Sequence, residues 1–244
     1  MKRRMLALLL ALVMVVGLCA CGTTTTTTTP APDASTDTEN IVAIAMGSGF
    51  DTMDPGHCYE KYPALVINAC YENLFKFYSN DGAAEPCLAE TYEFSEDNLT
   101  LTITLREGAT FASGNPVTAA DVKFSLDRTK NLKGNPSFIT DTIASVETPD
   151  EKTVVINLTQ PDSAITSKLT YSALAILDSA VVMENGGTAA EDASTTDTAQ
   201  AYLDTTSAGS GMYIMTSYIP DDEIVLERNP NYSGTPTNVD KYII

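Results

Sequence analysis

The amino-acid sequence predicts an α/β fold, with a mixed β-sheet and flanking helices. Residues 99–105 alternate strictly between apolar and polar side chains, which is typical of a strand with one buried face. Residues 63–76 and 118–128 instead place apolar side chains at helical spacing. Such patterns continue beyond residue 200, and 43% of the 244 residues are hydrophobic, so we expect a buried core rather than a disordered chain.

Residues 1–20 are typical of a signal peptide. A basic start precedes an apolar run over residues 6–18, which is too short to span a bilayer comfortably. Residues 18–21, Leu-Cys-Ala-Cys, resemble the bacterial lipobox. We therefore predict a lipoprotein signal peptide and a lipid-modified Cys21, which would anchor the chain at the extracytoplasmic face of the cell membrane. A plain secreted protein cut near Ala20 is the alternative.

Residues 21–40 predict a flexible tether. Threonines fill residues 23–29, prolines follow, and beyond Cys21 the stretch has no apolar residue larger than alanine. Such a composition cannot be buried, so the stretch would serve as a spacer between the lipid and the fold.

The chain is strongly acidic, with 14 Lys and Arg against 32 Asp and Glu and a formal net charge of -18. Nucleic acid is excluded as a partner, because basic surfaces bind polyanions and this surface would repel them. Anionic headgroups would be repelled in the same way. We therefore expect the lipid, and not the protein surface, to hold the chain at the membrane.

Three cysteines remain in the region that is predicted to fold: Cys58, Cys70 and Cys87. An odd number allows at most one intramolecular disulfide, and the spacings match no zinc or redox motif. Cys70 has the helical spacing of a small core residue. We predict no functional thiol and no metal site.

The folded region begins with a short apolar run over residues 41–46, which predicts a buried strand, followed by a loop over 47–50. The loop contains Gly-Ser-Gly, but no third glycine or helix start follows, so we reject a dinucleotide-binding loop. A helix is predicted over 63–76. Further along, residues 91–94 are the natural antiparallel partner of the strand at 99–105.

A second helix is predicted from Thr118 through Arg128. The Thr118 hydroxyl can accept a hydrogen bond from the Asp121 amide, and the Asp121 carboxylate can accept one from the Thr118 amide. This reciprocal pair is a capping box. Val122 and Leu126 then face the core.

The remaining elements repeat this mixture. A hairpin joins residues 143–146 with 154–158, and residues 162–177 again have helical spacing. Residues 184–206 form a polar excursion, and a last hairpin covers 211–226.

Residues that could suggest catalysis or ion binding do not form a site in the sequence. His57 is the only histidine, which leaves no imidazole pair for a metal and no orienting partner for a catalytic triad. Asp51 and Asp54 lack the spacing of a calcium loop, so we expect a solvated turn there. The acidic pairs 150–151 and 221–222 lie in hairpin turns. We predict no enzyme and no cofactor.

Seven short motifs occur in a fixed order along the chain. They are Met53-Asp-Pro55, Cys70-Tyr-Glu-Asn-Leu74, Pro86-Cys-Leu-Ala-Glu90, Leu105-Arg-Glu-Gly108, Phe111-Ala-Ser-Gly-Asn-Pro-Val-Thr-Ala-Ala-Asp-Val122, Gly209-Ser-Gly-Met-Tyr213 and Arg228-Asn-Pro-Asn-Tyr232. Together they resemble the family 5 extracellular solute-binding proteins, the peptide- and nickel-binding receptors of bacterial ABC importers. Departures at Ala112, Met212 and Ser233 affect scaffold positions.

The resemblance implies a fold of the periplasmic-binding-protein type II kind, present as its first lobe only. It assigns residues 41–244 to the N-terminal lobe, with 41–84 and 207–244 as a core subdomain and 85–206 as an inserted subdomain. Family members have roughly twice this length, so we expect a truncated product whose last strand, 239–244, is left with an unpaired edge and promotes self-association.

The resemblance further implies a lipid-anchored receptor for oligopeptides or dipeptides that works with an ABC permease. Its ligand contacts are expected at Met46, Gly47, Ser48, Gly49 and Phe50, where small residues let an extended peptide approach the main chain. The alternative is that Gly47 and Gly49 only turn the chain. A surface lipoprotein that binds or senses a protein partner without transport is the alternative function, and a secreted hydrolase is a distant third.

Overall fold

The computed structural model describes residues 39–47, 50–78 and 82–244. The predicted signal peptide, Cys21, most of the tether, Ser48 and Gly49 lie outside these residues. The strands are β1 (Ile41–Ala43), β2 (Phe75–Lys76), β3 (Glu85–Pro86), β4 (Ala89–Phe94), β5 (Thr100–Leu105), β6 (Ile143–Glu147), β7 (Thr153–Leu158), β8 (Tyr213–Ile219), β9 (Glu223–Arg228) and β10 (Lys241–Ile243). The α-helices are α1 (Lys61–Cys70), α2 (Ala119–Leu132), α3 (Ile165–Lys168), α4 (Ser179–Glu184), α5 (Ala193–Thr196) and α6 (Gln200–Leu203), with 3-10 turns at Asn135–Thr140 and Ser172–Leu174.

Two four-stranded sheets organise the fold, and a short β2–β3 hairpin accompanies them. The first sheet has the order β1-β10-β9-β8, with β1 parallel to β10 and the other pairs antiparallel. The second sheet, β4-β5-β7-β6, is antiparallel throughout.

The second sheet confirms the clearest pattern in the sequence. Leu101, Ile103 and Leu105 are buried on one face of β5, and Leu101 lies opposite Ile156 of β7. The β4–β5 turn is closed by the Asp97 carboxylate, which accepts the Leu99 amide at 3.1 Å. Alternating apolar residues therefore fix both the register and the buried face.

The capping box of α2 is also confirmed. The Thr118 amide donates to the Asp121 carboxylate at 2.9 Å, and the helix dipole favours a negative charge at that end. Val122 and Leu126 are buried. The helix runs one turn beyond the predicted end and stops where Lys133 has a left-handed φ of 55°.

Two predicted helices are shorter than their patterns indicated, because tertiary partners use their backbone groups. The helix predicted over 63–76 ends at Cys70, whose carbonyl accepts the Gly211 amide at 3.0 Å. In the segment 162–177 only α3 and one 3-10 turn form. The Ile176 amide donates to the Glu72 carbonyl at 2.9 Å. The end of the segment is therefore held by a residue that is distant in sequence, and not by helical hydrogen bonds.

The first sheet corrects two further expectations. The predicted buried strand at 41–46 is an exposed edge strand, since among the described residues β1 pairs with β10 alone and Ile41 is 49% exposed. The last strand, predicted to have an unpaired edge, is paired on both flanks, because β10 lies between β1 and β9. The edges of this sheet are β1 and β8.

Residues Glu39–Ile244 form one compact unit with two apolar clusters. One cluster covers the second sheet and the other covers the first. The latter also takes in Phe124, Leu177 and Leu203, so packing crosses the proposed border between 41–84 with 207–244 and 85–206, and that division stays a prediction. In the part of the chain that the structure describes, no helix is long and apolar enough to cross a membrane.

The predicted core role of Cys70 is confirmed, since the side chain is buried at the end of α1. Burial raises the pKa of its thiol to about 12, which keeps it protonated and unreactive near neutral pH. Cys58 and Cys87 are also free thiols.

Candidate functional site

Two open grooves are candidate ligand surfaces. The first, which we call the first-loop groove, has a volume of about 670 Å³ and follows β1 along the surface. Three of the five predicted contact residues, Met46, Gly47 and Phe50, line it. It also includes Ala43, Ile44, Ala45, Tyr218, Ile219, Asp221, Asp222, Glu223, Ile224, Ile243 and Ile244.

The first-loop groove has an apolar floor and an acidic rim formed by residues 221–223. The Tyr218 hydroxyl donates to the Phe50 carbonyl at 3.3 Å, which ties the loop to β8. A Cβ added at Gly47 would meet no atom within 4 Å, and the φ of Gly47 does not lie in the left-handed region. Glycine is therefore not required there by the backbone, and space beside the main chain is free for a ligand.

The second groove, which we call the aromatic cleft, has a volume of about 690 Å³ and begins at the N-terminus of α1. It is lined by Tyr59, Glu60, Lys61, Ala64, Leu65, Asn68, Phe77, Ser167, Thr170, Tyr171 and Ser172. Phe138 adjoins it, since its ring lies 5.3 Å from that of Tyr59 in an edge-to-face arrangement. Tyr171 stacks on the ring of Tyr59, with 5.9 Å between the ring centroids.

These three rings are unusually accessible for side chains that contact one another. Tyr59 is 46% exposed, Phe138 51% and Tyr171 46%. The hydrogen bond with Tyr59 raises the pKa of Tyr171 above its ordinary value, and a phenol hydroxyl can both donate and accept hydrogen bonds. The cleft therefore offers apolar ring faces together with polar tips.

The three rings come from distant parts of the chain. Tyr59 ends the segment between β1 and α1, Phe138 lies in the 3-10 turn after α2, and Tyr171 follows α3. No periodic pattern connects them, so the sequence alone does not predict the cleft.

The segment that carries Tyr59 is fixed by a buried ion pair. Asp54 and Arg128 are both fully buried, and Arg128 Nη1 and Nη2 donate to the two Asp54 carboxylate oxygens at 2.8 and 2.7 Å. The predicted solvated turn is therefore wrong for Asp54, because a guanidinium 74 residues away removes the carboxylate from water. Asp51 is exposed, and the half-buried His57 lies in the loop as expected.

A second carboxylate holds the other edge of Arg128. Its Nε and Nη2 donate to Asp197 at 2.8 and 2.9 Å. Burial disfavours the charged guanidinium, but the hydrogen bonds of Asp54 and Asp197 outweigh it and raise the pKa of Arg128. Burial also opposes the charge on Asp197, yet its hydrogen bond with Arg128 leaves the pKa of that carboxyl below the usual value.

The acidic turns behave as predicted, since residues 150–151 and 221–222 are exposed. In the described residues no group of His, Cys, Asp and Glu side chains is placed to hold a metal ion.

Comparison with known proteins gives a consistent result. The profile of the bacterial extracellular solute-binding proteins, family 5 Middle, matches residues 83–244. The probable D,D-dipeptide-binding periplasmic protein DdpA of Escherichia coli K12 is 30% identical over 205 residues, which cover 82% of this chain and 38% of that protein. The glutathione-binding protein GsiB of Salmonella typhi is 38% identical over 138 residues, covering 56% of this chain and 27% of GsiB.

Solved structures share the fold. DppA of Helicobacter pylori in complex with the peptide STSA has a TM-score of 0.70 and 23% identity, covering 84% of this chain and 42% of that one. OppA of Haemophilus influenzae in complex with RPPGFSPFR has a TM-score of 0.69 and 24% identity, covering 85% of this chain and 42% of OppA. The chain spans about two fifths of the length of DdpA and of both of these structures.

Proposed function

This chain belongs to the family 5 bacterial extracellular solute-binding proteins, and from that premise we propose that it receives peptides for an ABC importer. Its fold is of the periplasmic-binding-protein type II kind, which agrees with the predicted fold class. In this proposal a lipid on Cys21 anchors the receptor outside the cell membrane, and an ABC permease accepts the ligand.

The observation that carries this proposal is the aromatic cleft. Ligand sites are concave, rich in aromatic surface and furnished with a few polar groups, and the cleft has each of these properties. Tyr59, Phe138 and Tyr171 leave about half of their surface in water, although apolar area in contact with water is unfavourable by about 25 cal/mol per Å². A ligand that covers the rings recovers part of that free energy.

A peptide suits both surfaces. Its side chains can pack on the rings of the aromatic cleft, and its main chain can pair with the backbone of an extended segment. We propose that Met46, Gly47, Ser48, Gly49 and Phe50 provide this second contact, since the space beside Gly47 is open. Relatives named for binding D,D-dipeptides and glutathione, and folds solved with bound peptides, support this ligand class.

We further propose that a second lobe, such as the greater length of the relatives allows, closes over the ligand and excludes water. Closure would supply hydrogen-bond partners that one surface alone lacks. The affinity of this chain by itself is then expected to be weaker than that of a two-lobed receptor.

The alternative function is a surface lipoprotein that binds a protein partner and transports nothing. The exposed apolar edge at β1, where Ile41 and Val42 are 49% and 37% exposed, favours it. A protein partner docked there would leave the aromatic cleft free. Ligand mapping therefore separates the two functions.

Calorimetry tests the proposal. An equimolar mixture of tri- and tetrapeptides should release heat on binding the wild-type chain, and Tyr59→Ala should abolish most of it because two ring contacts are lost. Tyr92→Ala is the matched control, since Tyr92 is similarly exposed at 41% but lies on the second sheet. The absence of heat and of a thermal shift with the wild type would refute peptide capture.

Two further variants test the finer claims. Gly47→Ala adds a Cβ that meets no atom within 4 Å, so it should fold normally and weaken peptide binding only if the first loop contacts the ligand. Cys21→Ala should release the protein from the membrane fraction into the medium. Retention of that variant in the membrane would contradict lipid anchoring.

A further inference from the structure

We propose that Arg128 is a positioning residue for the aromatic cleft: it holds the segment 52–60, and with it the Tyr59 ring, through buried pairs with Asp54 and Asp197. The inference rests on the proposed function, in which this cleft receives the ligand. Arg128 itself is fully buried and is not among the residues that line the cleft.

The guanidinium is held along two of its edges. Nη1 and Nη2 face the Asp54 carboxylate at 2.8 and 2.7 Å, and Nε and Nη2 face the Asp197 carboxylate at 2.8 and 2.9 Å. Planar, two-point pairing of this kind fixes orientation as well as distance. A single side chain of α2 therefore sets the position of two other segments.

The two carboxylates carry one more charge than Arg128 neutralises, and backbone amides stabilise them by donating hydrogen bonds. Asp54 accepts the Gly56 amide at 3.0 Å, and Asp197 accepts the amides of Thr188 and Ala199 at 2.9 and 3.1 Å. These bonds tie the charged groups to their own loops. The pairs with Arg128 then tie both loops to α2.

The segment 52–60 lies directly against Arg128. A Cβ at Gly56 would come within 2.7 Å of Leu132 Cδ1 and 3.1 Å of Arg128 Nη1, so a larger residue there would have to displace these side chains. The turn itself is closed by the amides of His57 and Cys58, which donate to the Asp54 carbonyl at 3.1 and 3.0 Å. A shift of Asp54 therefore moves the whole turn.

Tyr59 follows this turn immediately and precedes α1. Its ring has no buried pocket of its own, since it contacts Phe138 and Tyr171 at the surface. The position of the ring therefore depends on the backbone on either side of it. Without Arg128, the two carboxylates would be buried without a cation, and Asp54 would turn towards water and carry the segment with it.

Asp204 is a second anchor on the same segment, but it acts further from Tyr59. One of its carboxylate oxygens accepts the Thr52 hydroxyl at 2.6 Å and the amides of Met53 and Asp54 at 2.7 and 3.3 Å. Removing Arg128 should therefore loosen residues 55–59 more than residues 52–54, which Asp204 still holds.

Hydrogen exchange of the full chain with Arg128→Met is the test. The amides of residues 56–58 should exchange at least about tenfold faster through a local opening whose free energy stays below the global stability of the variant, whereas amides of β5 and β7 should accelerate only as far as that global stability falls, because local opening and global unfolding are separable. Arg106→Met is the matched control. Arg106 also pairs with a carboxylate, since its Nη2 donates to both oxygens of Glu72 at 3.1 and 3.0 Å, but it lies outside the network of Arg128.

A fluorescence readout follows the cleft directly. The chain has no tryptophan, so Tyr171→Trp introduces a single reporter beside Tyr59. Arg128→Met in this background should increase the quenching of the tryptophan by acrylamide, and Arg106→Met should not.

Unchanged exchange at 56–58 and unchanged quenching in folded Arg128→Met would overturn the proposal. If residues 56–58 of Arg128→Met exchange only by global unfolding, as β5 and β7 do, Asp197→Asn decides, since it keeps the shape of the network and removes one charge. A local opening at 56–58 in Asp197→Asn supports positioning, and exchange there with the same opening free energy as β5 and β7 refutes it. Neither readout needs a ligand, so a failure of peptide capture would remove the proposed function without changing these outcomes.

Discussion

The second sheet and the segment before α1 are held together by different forces. In the sheet, Leu101, Ile103 and Ile156 are removed from water and their strands pair backbone to backbone. In the segment 52–60, the buried ion pair between Asp54 and Arg128 provides much of the stabilisation. Apolar packing tolerates small shifts, whereas a two-point ion pair fixes one geometry. The geometrically fixed region is the one that carries a ring of the aromatic cleft.

The largest expected effect comes from removing the buried cation. Arg128→Met should lower the free energy of unfolding by about 4 kcal/mol, within the range for breaking a buried pair by deleting one partner. Urea denaturation followed by far-UV circular dichroism measures it. Adding Asp54→Asn and Asp197→Asn should recover part of the loss, and a triple variant that is less stable than Arg128→Met would contradict this explanation.

A core truncation in the sheet should have a somewhat smaller effect of a different kind. Ile103→Ala should cost about 3 kcal/mol, because it removes a fully buried side chain and leaves a cavity. Unlike Arg128→Met, it should leave exchange at residues 56–58 near the wild-type rate under native conditions. Rapid exchange there in Ile103→Ala would remove the distinction between the two regions.

Acid should affect the charged region first. Asp197 has a folded-state pKa below its unfolded value of 3.8, so its contribution to stability is present above that value and is lost as the pH falls through the folded-state pKa. Unfolding curves below pH 4 should show a smaller loss in Asp197→Asn than in the wild type. Equal acid sensitivity of the two proteins would show that Asp197 is not responsible.

The helix cap that begins α2 should give the smallest effect. Thr118→Ala should cost about 1 kcal/mol, since the capping box loses its hydroxyl. Thr118→Ser should retain most of the stability. A loss of the same size in both variants would mean that the hydroxyl does not stabilise the helix.

Local patterns explain which parts of this fold were predictable. The alternation in β5 and the Thr118–Asp121 capping box depend on neighbours in sequence, and both appear in the structure. The helix predicted over 162–177 was wrong, because the apolar pattern fits a helix but amides of this segment pair with distant residues. Helix propensity depends on the local sequence and carries no information about such distant partners.

The candidate site was predictable only in part. The resemblance placed ligand contacts at 46–50, and the described members of that set do line a groove. The aromatic cleft was missed because Tyr59, Phe138 and Tyr171 meet only after folding. Asp54 was misjudged for the same reason, since its cation comes from α2.

Ligand mapping by hydrogen exchange tests the central claim most directly. The chain is compared with and without a saturating mixture of tri- and tetrapeptides. We expect slower exchange at residues 57–65 and 167–172, the two stretches that contribute most of the aromatic cleft. Slower exchange confined to β1 and β10, or no change anywhere, would contradict a peptide receptor built around that cleft.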